Sequence, residues 1–222
     1  MEETLTNPRT ASVFIAIFII FFISLQTFIA EYRAVLLTTG TTNDVISALA
    51  ETGDAWPHPA SSRSVRDILS ICGRLLLLSP RLKSDPALAE AVSTNCNHIA
   101  NDFLARSPRN GRAMAVALLT SKRIEADRLA AAQVAAPYEP WPLNVRLQIV
   151  SASADLTPEV AALARADIGR AMLSHWGREA LATLYITHDR MRPLIAGAAD
   201  AAAPADQRAF LDLLRRETGA GS

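Results

Sequence analysis

The chain has 222 residues, and Lys plus Arg equal Asp plus Glu at 22 each, so its formal net charge is zero. Nucleic-acid-binding proteins carry a basic excess that neutralises phosphates, and this balance excludes that class of partner. About 190 residues follow an apolar N-terminal stretch, enough for one domain or a short helical array.

The chain begins with a short polar tail, residues 1–10, in which Pro8 lies just before the apolar run. Ala11 to Ala30 follows without a charge and holds Phe14, Phe18, Phe21, Phe22 and Phe28, five of the seven phenylalanines. A helix needs about 20 apolar residues to cross a bilayer's hydrocarbon, so the run reads as a membrane span resting in lipid. A cleavable signal has a shorter apolar region and a small residue before its cleavage site, whereas Phe28 stands where that small side chain is required. The reading is therefore an uncleaved anchor over residues 11–33, with Tyr32 at the interface. Arg9 and Arg33 tie in the count of flanking positive charges. Long domains translocate largely regardless of charge, so the C-terminal part is expected outside the cytoplasm and the tail inside.

Thr38, Thr39, Gly40 and Thr41 break the pattern, and Thr42 caps a short helix carrying Val45, Ile46 and Leu49. Gly53 to Ser62 contains two prolines and reads as a linker, so residues 34–62 are expected to be a juxtamembrane helix and linker, and 63–218 the helical domain. Ser64 and Asp67 resemble a capping box ahead of Val65, Ile68, Cys72 and Leu75, which recur at helical spacing. That helix should stop near Ser79 and Pro80. Ser84, Asp85 and Pro86 then open another, with the stripe Leu88, Val92, Cys96, Ile99 and Phe103. A loop of about five residues makes the two helices antiparallel neighbours. Cys72 and Cys96 each sit on an apolar stripe on either side of the turn, which makes them a disulfide candidate in an oxidising compartment and otherwise two small buried thiols.

Helices are next expected over Ser107 to Leu118, from Ile124 to Ala136, and from Thr157 to Gly177, where Gly177 reads as a C-terminal cap. Short helices near Leu181 to Tyr185 and Pro193 to Ala202, and a last one over Pro204 to Arg216, complete the chain. The body is rich in Ala and nearly free of β-branched alternation, so the fold class is all-α.

Functional candidates are few. Tyr138, Trp141 and Arg146 lie in the stretch Pro137-Tyr-Glu-Pro-Trp-Pro-Leu-Asn-Val-Arg146 and are the candidate partner contacts, since aromatics beside prolines in a loop make good anchors. The plainer readings are aromatics that plug a gap between helix pairs and an arginine on a solvated face. Cys96 and His98 point to different sides of a helix, His188 and Asp189 are adjacent and do not face one another, and the glycines form no phosphate-cradling loop. No catalytic residue, metal or cofactor is therefore assigned. The competing reading is a glycan-modifying enzyme with carboxylates such as Glu139 and Asp155 or Glu159 assembled by the fold. A third is a structural subunit of another membrane complex that docks through the span.

The segment from Pro108 and Asn110, through Ala113, Met114, Ala117 and Leu118, to Glu125-Ala126 and the closing Ala136-Pro137 resembles a tetratricopeptide unit. Its prolines lie 29 residues apart, against a standard repeat of about 34. With the Pro-rich 137–146 stretch and the single N-terminal span, it is similar to small tetratricopeptide-like membrane proteins of alphaproteobacteria found alongside surface-polysaccharide or O-antigen synthesis. The resemblance implies a non-catalytic α-solenoid of antiparallel helix pairs. It implies a place in the inner membrane with the domain in the periplasm, and a protein partner such as a polysaccharide polymerase or exporter.

Overall fold

A computed structural model describes residues 8–51, 59–121, 123–153 and 155–219. Among the described residues the secondary structure is helical throughout: α1 (Pro8–Thr39), α2 (Thr42–Glu51), α3 (Ser62–Leu78), α4 (Pro80–Ser84), α5 (Pro86–Arg106), α6 (Gly111–Leu119), α7 (Ala126–Ala135), α8 (Pro140–Ala152), α9 (Pro158–Met172), α10 (His175–Thr187), α11 (Arg192–Asp200) and α12 (Pro204–Glu217), with a 3₁₀ turn at Asp189–Met191. Most of the linker Gly53–Ser62, including His58, lies outside the described residues, as do residues 1–7 of the N-terminal tail.

Local chemistry sets most of the boundaries. A helix leaves its first N–H groups without internal partners, and a short polar side chain before it accepts one. Asp85 takes the Leu88 N–H at 3.0 Å, Asn110 the Ala113 N–H at 3.0 Å and Thr157 the Val160 N–H at 3.3 Å. Proline fits the first turn because it has no N–H to leave unpaired, and it occupies that turn in α5, α8, α9 and α12.

Four local expectations are corrected. The cap of α3 is Ser61, whose Oγ accepts the Ser64 N–H at 3.1 Å, in place of a Ser64–Asp67 box. Glu31 of α1 explains the shift, because its carboxylate accepts the Ser61 N–H at 2.6 Å and the Ser64 hydroxyl at 2.6 Å. The loop between Ser79 and Asp85 folds into the single turn α4. Residues 140–146 are helix, since Pro140 and Pro142 both sit at the start of α8, where proline costs no hydrogen bond. Gly177 begins α10 rather than ending α9: the Ser174 hydroxyl accepts its N–H at 3.2 Å, and its φ is not positive. Glycine is needed there for closeness, because a Cβ would collide with the backbone oxygen of Ala171.

α1 lies in two environments. Its segment Ser12–Thr39 is long and apolar enough to cross a membrane, and none of its most apolar stretch is buried against protein. Phe14 and Phe18 are 68% and 69% exposed. Its last turns behave differently: Ala34 is fully buried and Leu37 packs on the same core as α2, α3 and α5. Val45, Ile46 and Leu49 of α2 belong to that core, and Asn95 of α5 donates to the Leu49 carbonyl at 2.6 Å. The boundary expected at residue 62 therefore does not divide the molecule, because residues 34–51 are part of the domain that α3 continues.

Helices neighbour one another in a regular order. α3 packs on α5, α6 on α7, α8 on α9 and α10 on α11. One row of further contacts runs α1, α3, α6, α8, α10, α12; a second joins α2 to α5, and a third runs α7, α9, α11. Two clusters of buried apolar side chains fill the interior, one from α1 to α6 and one from α6 to α12. α6 serves both, giving Ala113 and Val116 to the first and Leu118 to the second.

Candidate partner-binding groove

Cys72 and Cys96, both fully buried, are bonded in the structure with their Cα atoms 5.8 Å apart. The bond joins the middle of α3 to the middle of α5. It fixes one wall of the groove described below.

Arg146 is corrected in both of its expected roles: it is fully buried, neither a partner contact nor a solvated charge. Its Nε donates to Asp167 Oδ2 at 2.7 Å and its Nη2 to Oδ1 at 3.0 Å, a two-pronged match that a carboxylate accepts well. Its Nη1 reaches the carbonyls of Ala132 and Ala136 at 3.3 and 3.2 Å, at the C-terminal end of α7, where the Ala132 oxygen also accepts the Ala136 N–H. Arg170 adds a second cation at 3.0 Å from Asp167. One guanidinium thus ties α7, α8 and α9 together.

Trp141 is half-buried and lies over α3, close enough that a Cβ on Gly73 would collide with its ring. The Arg112 guanidinium of α6 sits 5.1 Å from the ring centroid and donates to Ser70 Oγ at 2.9 Å. Burial pushes the Arg112 guanidinium down, and the charge of Glu139 pulls it back up. Tyr138, by contrast, is 67% exposed at the turn between α7 and α8. The two aromatics expected to act together are therefore separated, one a wedge between helices and one at the surface.

Beside Trp141 a groove of about 400 Å³ opens between α3 and α8, its apolar lining Ile71, Leu77, Leu78, Trp141 and Val145 and its polar lining Ser70, Arg74, Asn144 and Gln148. Leu78 is 68% exposed at its edge. α6 packs against both α3 and α8 and holds them at this spacing. Asn144 Oδ1 is shielded from solvent and has no hydrogen-bond partner among the described residues. A buried acceptor left unpaired costs free energy that an incoming donor would recover. The sequence signal for Leu78 is the run of four leucines from Leu75 to Leu78, on a helix whose stripe needs only one or two of them, while Asn144 carries no such signal.

The ionisable candidates do not converge. His175 approaches Glu179 of its own helix at 3.6 Å, His188 Nδ1 meets the Thr187 hydroxyl at 2.7 Å, and Asp189 pairs with Arg192 at 2.9 Å. His98 is exposed on α5 while Cys96 is taken by the disulfide. Glu139 precedes α8, Asp155 lies in the loop after it and Glu159 opens α9. Among the described residues no three His, Cys, Asp or Glu side chains are grouped as a metal site. Comparison with protein-family models, with curated proteins and with solved structures gives no match, so the groove is read on its own chemistry.

Proposed function

We propose that the chain is a membrane-anchored scaffold, without a catalytic role, whose helix stack holds a partner protein through the α3/α8 groove. The observation that carries this reading is the groove itself. It combines apolar walls, an exposed leucine, a half-buried tryptophan and an orphaned acceptor, the mixture by which interface cores anchor a peptide or helix. The order of helix contacts supports a tetratricopeptide-like array, in which each pair rests on the next and presents an extended surface. α1 supports the anchor, since a run of exposed phenylalanine and isoleucine on one helix is stable only under an apolar cover. The bond between Cys72 and Cys96 supports an oxidising location for the domain, hence the periplasmic side of an inner membrane.

A role beside surface-polysaccharide polymerisation or export rests on the sequence resemblance alone. Deleting residues 57–222 is expected to lower the amount or length of envelope glycan, and unchanged polymer removes that assignment. The scaffold itself is tested by purifying the full chain from membranes in mild detergent, beside the variants Leu78→Asp and Asn144→Leu. One envelope protein is expected to co-purify in fixed ratio with the native chain and to be lost from Leu78→Asp. Co-purification indifferent to both variants would remove the groove from the account.

A further inference from the structure

A second cavity, of about 450 Å³, lies at the opposite end of α3 from Leu78, where α3 begins, α5 ends and α6 begins. Its lining includes Arg66, Arg106, Arg109 and Arg112 from these three segments, with Glu139 as the single carboxylate among the lining residues. Asp102 pairs with Arg106 at 2.6 Å and Asp67 lies 3.6 Å from Arg66, so two of the four cations are partly compensated and a positive excess remains. Arginine's planar fork suits phosphate oxygens. The first turn of α6 also opens here, and a helix N-terminus favours negative charge, while the start of α3 already carries the Glu31 carboxylate.

The cavity's position narrows the ligand. Glu31 is the first charge after the uncharged run that ends at Ala30, and its carboxylate is bonded to Ser61 and Ser64 at the start of α3. Arg66 follows Ser64 by two residues, about 3 Å along the helix. With α1 as the anchor proposed above, the arginine cavity falls at the level of lipid headgroups, beside the point where the uncharged run ends. We propose that it binds a phosphate, and that the source is the headgroup of an anionic phospholipid in the leaflet from which α1 emerges. Net charge hides such a site, because the basic surplus is local. The assignment depends on α1 being a span and is independent of what fills the α3/α8 groove.

The test uses the full chain in zwitterionic detergent, offered phosphatidylglycerol or phosphatidylcholine, with retained lipid counted by native mass spectrometry. Arg66→Gln with Arg109→Gln is compared with the charge-matched pair Arg215→Gln and Arg216→Gln on α12, and helix content is followed by circular dichroism. Phosphatidylglycerol is expected to be retained over phosphatidylcholine. Each removed cavity arginine should weaken it about fivefold, the scale of one cation at a membrane surface, while the α12 pair leaves it unchanged. Should the double variant lose helix, Arg109→Gln alone, in the turn between α5 and α6, gives the same reading. Equal retention of both lipids, equal loss in the α12 pair, or displacement of phosphatidylglycerol by inorganic phosphate at comparable concentration would each overturn the headgroup assignment.

Discussion

Arg146 carries the sharpest prediction at the scale of single residues. A buried guanidinium with a two-pronged carboxylate is a poor source of net stability against well-packed apolar residues, yet removing one partner strands the other without water. Arg146→Met should therefore cost about 3–5 kcal/mol, while Arg146→Met with Asp167→Leu should recover much of that loss. Urea unfolding of the native chain, Arg146→Met, Asp167→Leu and the double variant in one detergent checks this cycle; a double variant as unstable as Arg146→Met would mean the pair is not a closed unit. Arg170, which also reaches Asp167, sets how complete the recovery is. Glu159 makes a smaller claim with a defined pH window. Its own backbone N–H and the Thr157 hydroxyl hold its carboxyl below the ordinary value of 4.5 in the fold. A lowered folded value means its contribution is complete above 4.5 and disappears as pH falls through the folded value. Glu159→Gln should thus lower the melting temperature slightly at neutral pH and match the native chain in strong acid; a gap that persists in acid would assign the effect to packing instead.

Individual helices were legible in the sequence to different degrees, for physical reasons. Where a capping residue and a proline mark the first turn and apolar residues recur at helical spacing, as in α5 and α9, the element and its start were legible, although α9 ends at Met172 rather than at Gly177. α8 was hidden because it is apolar on most sides: Leu143, Val145, Leu147 and Val150 are all buried, and its two leading prolines look like a loop. The same crowding held the missed clue to Arg146, a lone cation among core residues, with Asp167 standing in the Val160–Ala164–Ile168–Ala171 stripe as the one buried carboxylate among the described residues. Glu31 escaped because a cap supplied from 30 residues upstream leaves no local signature. The pairing of α3 with α5 followed from the short connection, and it yields the prediction for this scale. Closing a loop with a sequence separation of 24 removes chain entropy worth about 3 kcal/mol in the unfolded state. Cys72→Ser with Cys96→Ser should destabilise the chain by that order and abolish the mobility difference between reduced and oxidised samples. An oxidised native chain that carries two alkylatable thiols would contradict the pairing.

At the scale of the molecule, two kinds of surface share one chain. α1 exposes phenylalanine and isoleucine along its length until Ala34, where it becomes a core helix of the domain. Because Glu31 also holds Ser61 and Ser64 at the start of α3, the anchor and the first wall of the groove are one mechanical piece. The stack then keeps α3 and α8 apart by α6, so the groove's width is set by core packing rather than by a loop. Altering α6 should change groove affinity without touching a groove residue: Val116→Ala deletes two buried methyl groups and should weaken partner binding alongside a loss of about 1–3 kcal/mol in stability. The most direct measurement is photo-crosslinking in intact membranes from a benzophenone side chain placed at Leu78, with Val134, 80% exposed on α7, as the reference position. A single discrete adduct at position 78, absent at 134 and lost when Asn144→Leu is added, is the predicted result. No adduct at 78, or the same products from both positions, would contradict the claim that this chain works by holding a partner in the α3/α8 groove.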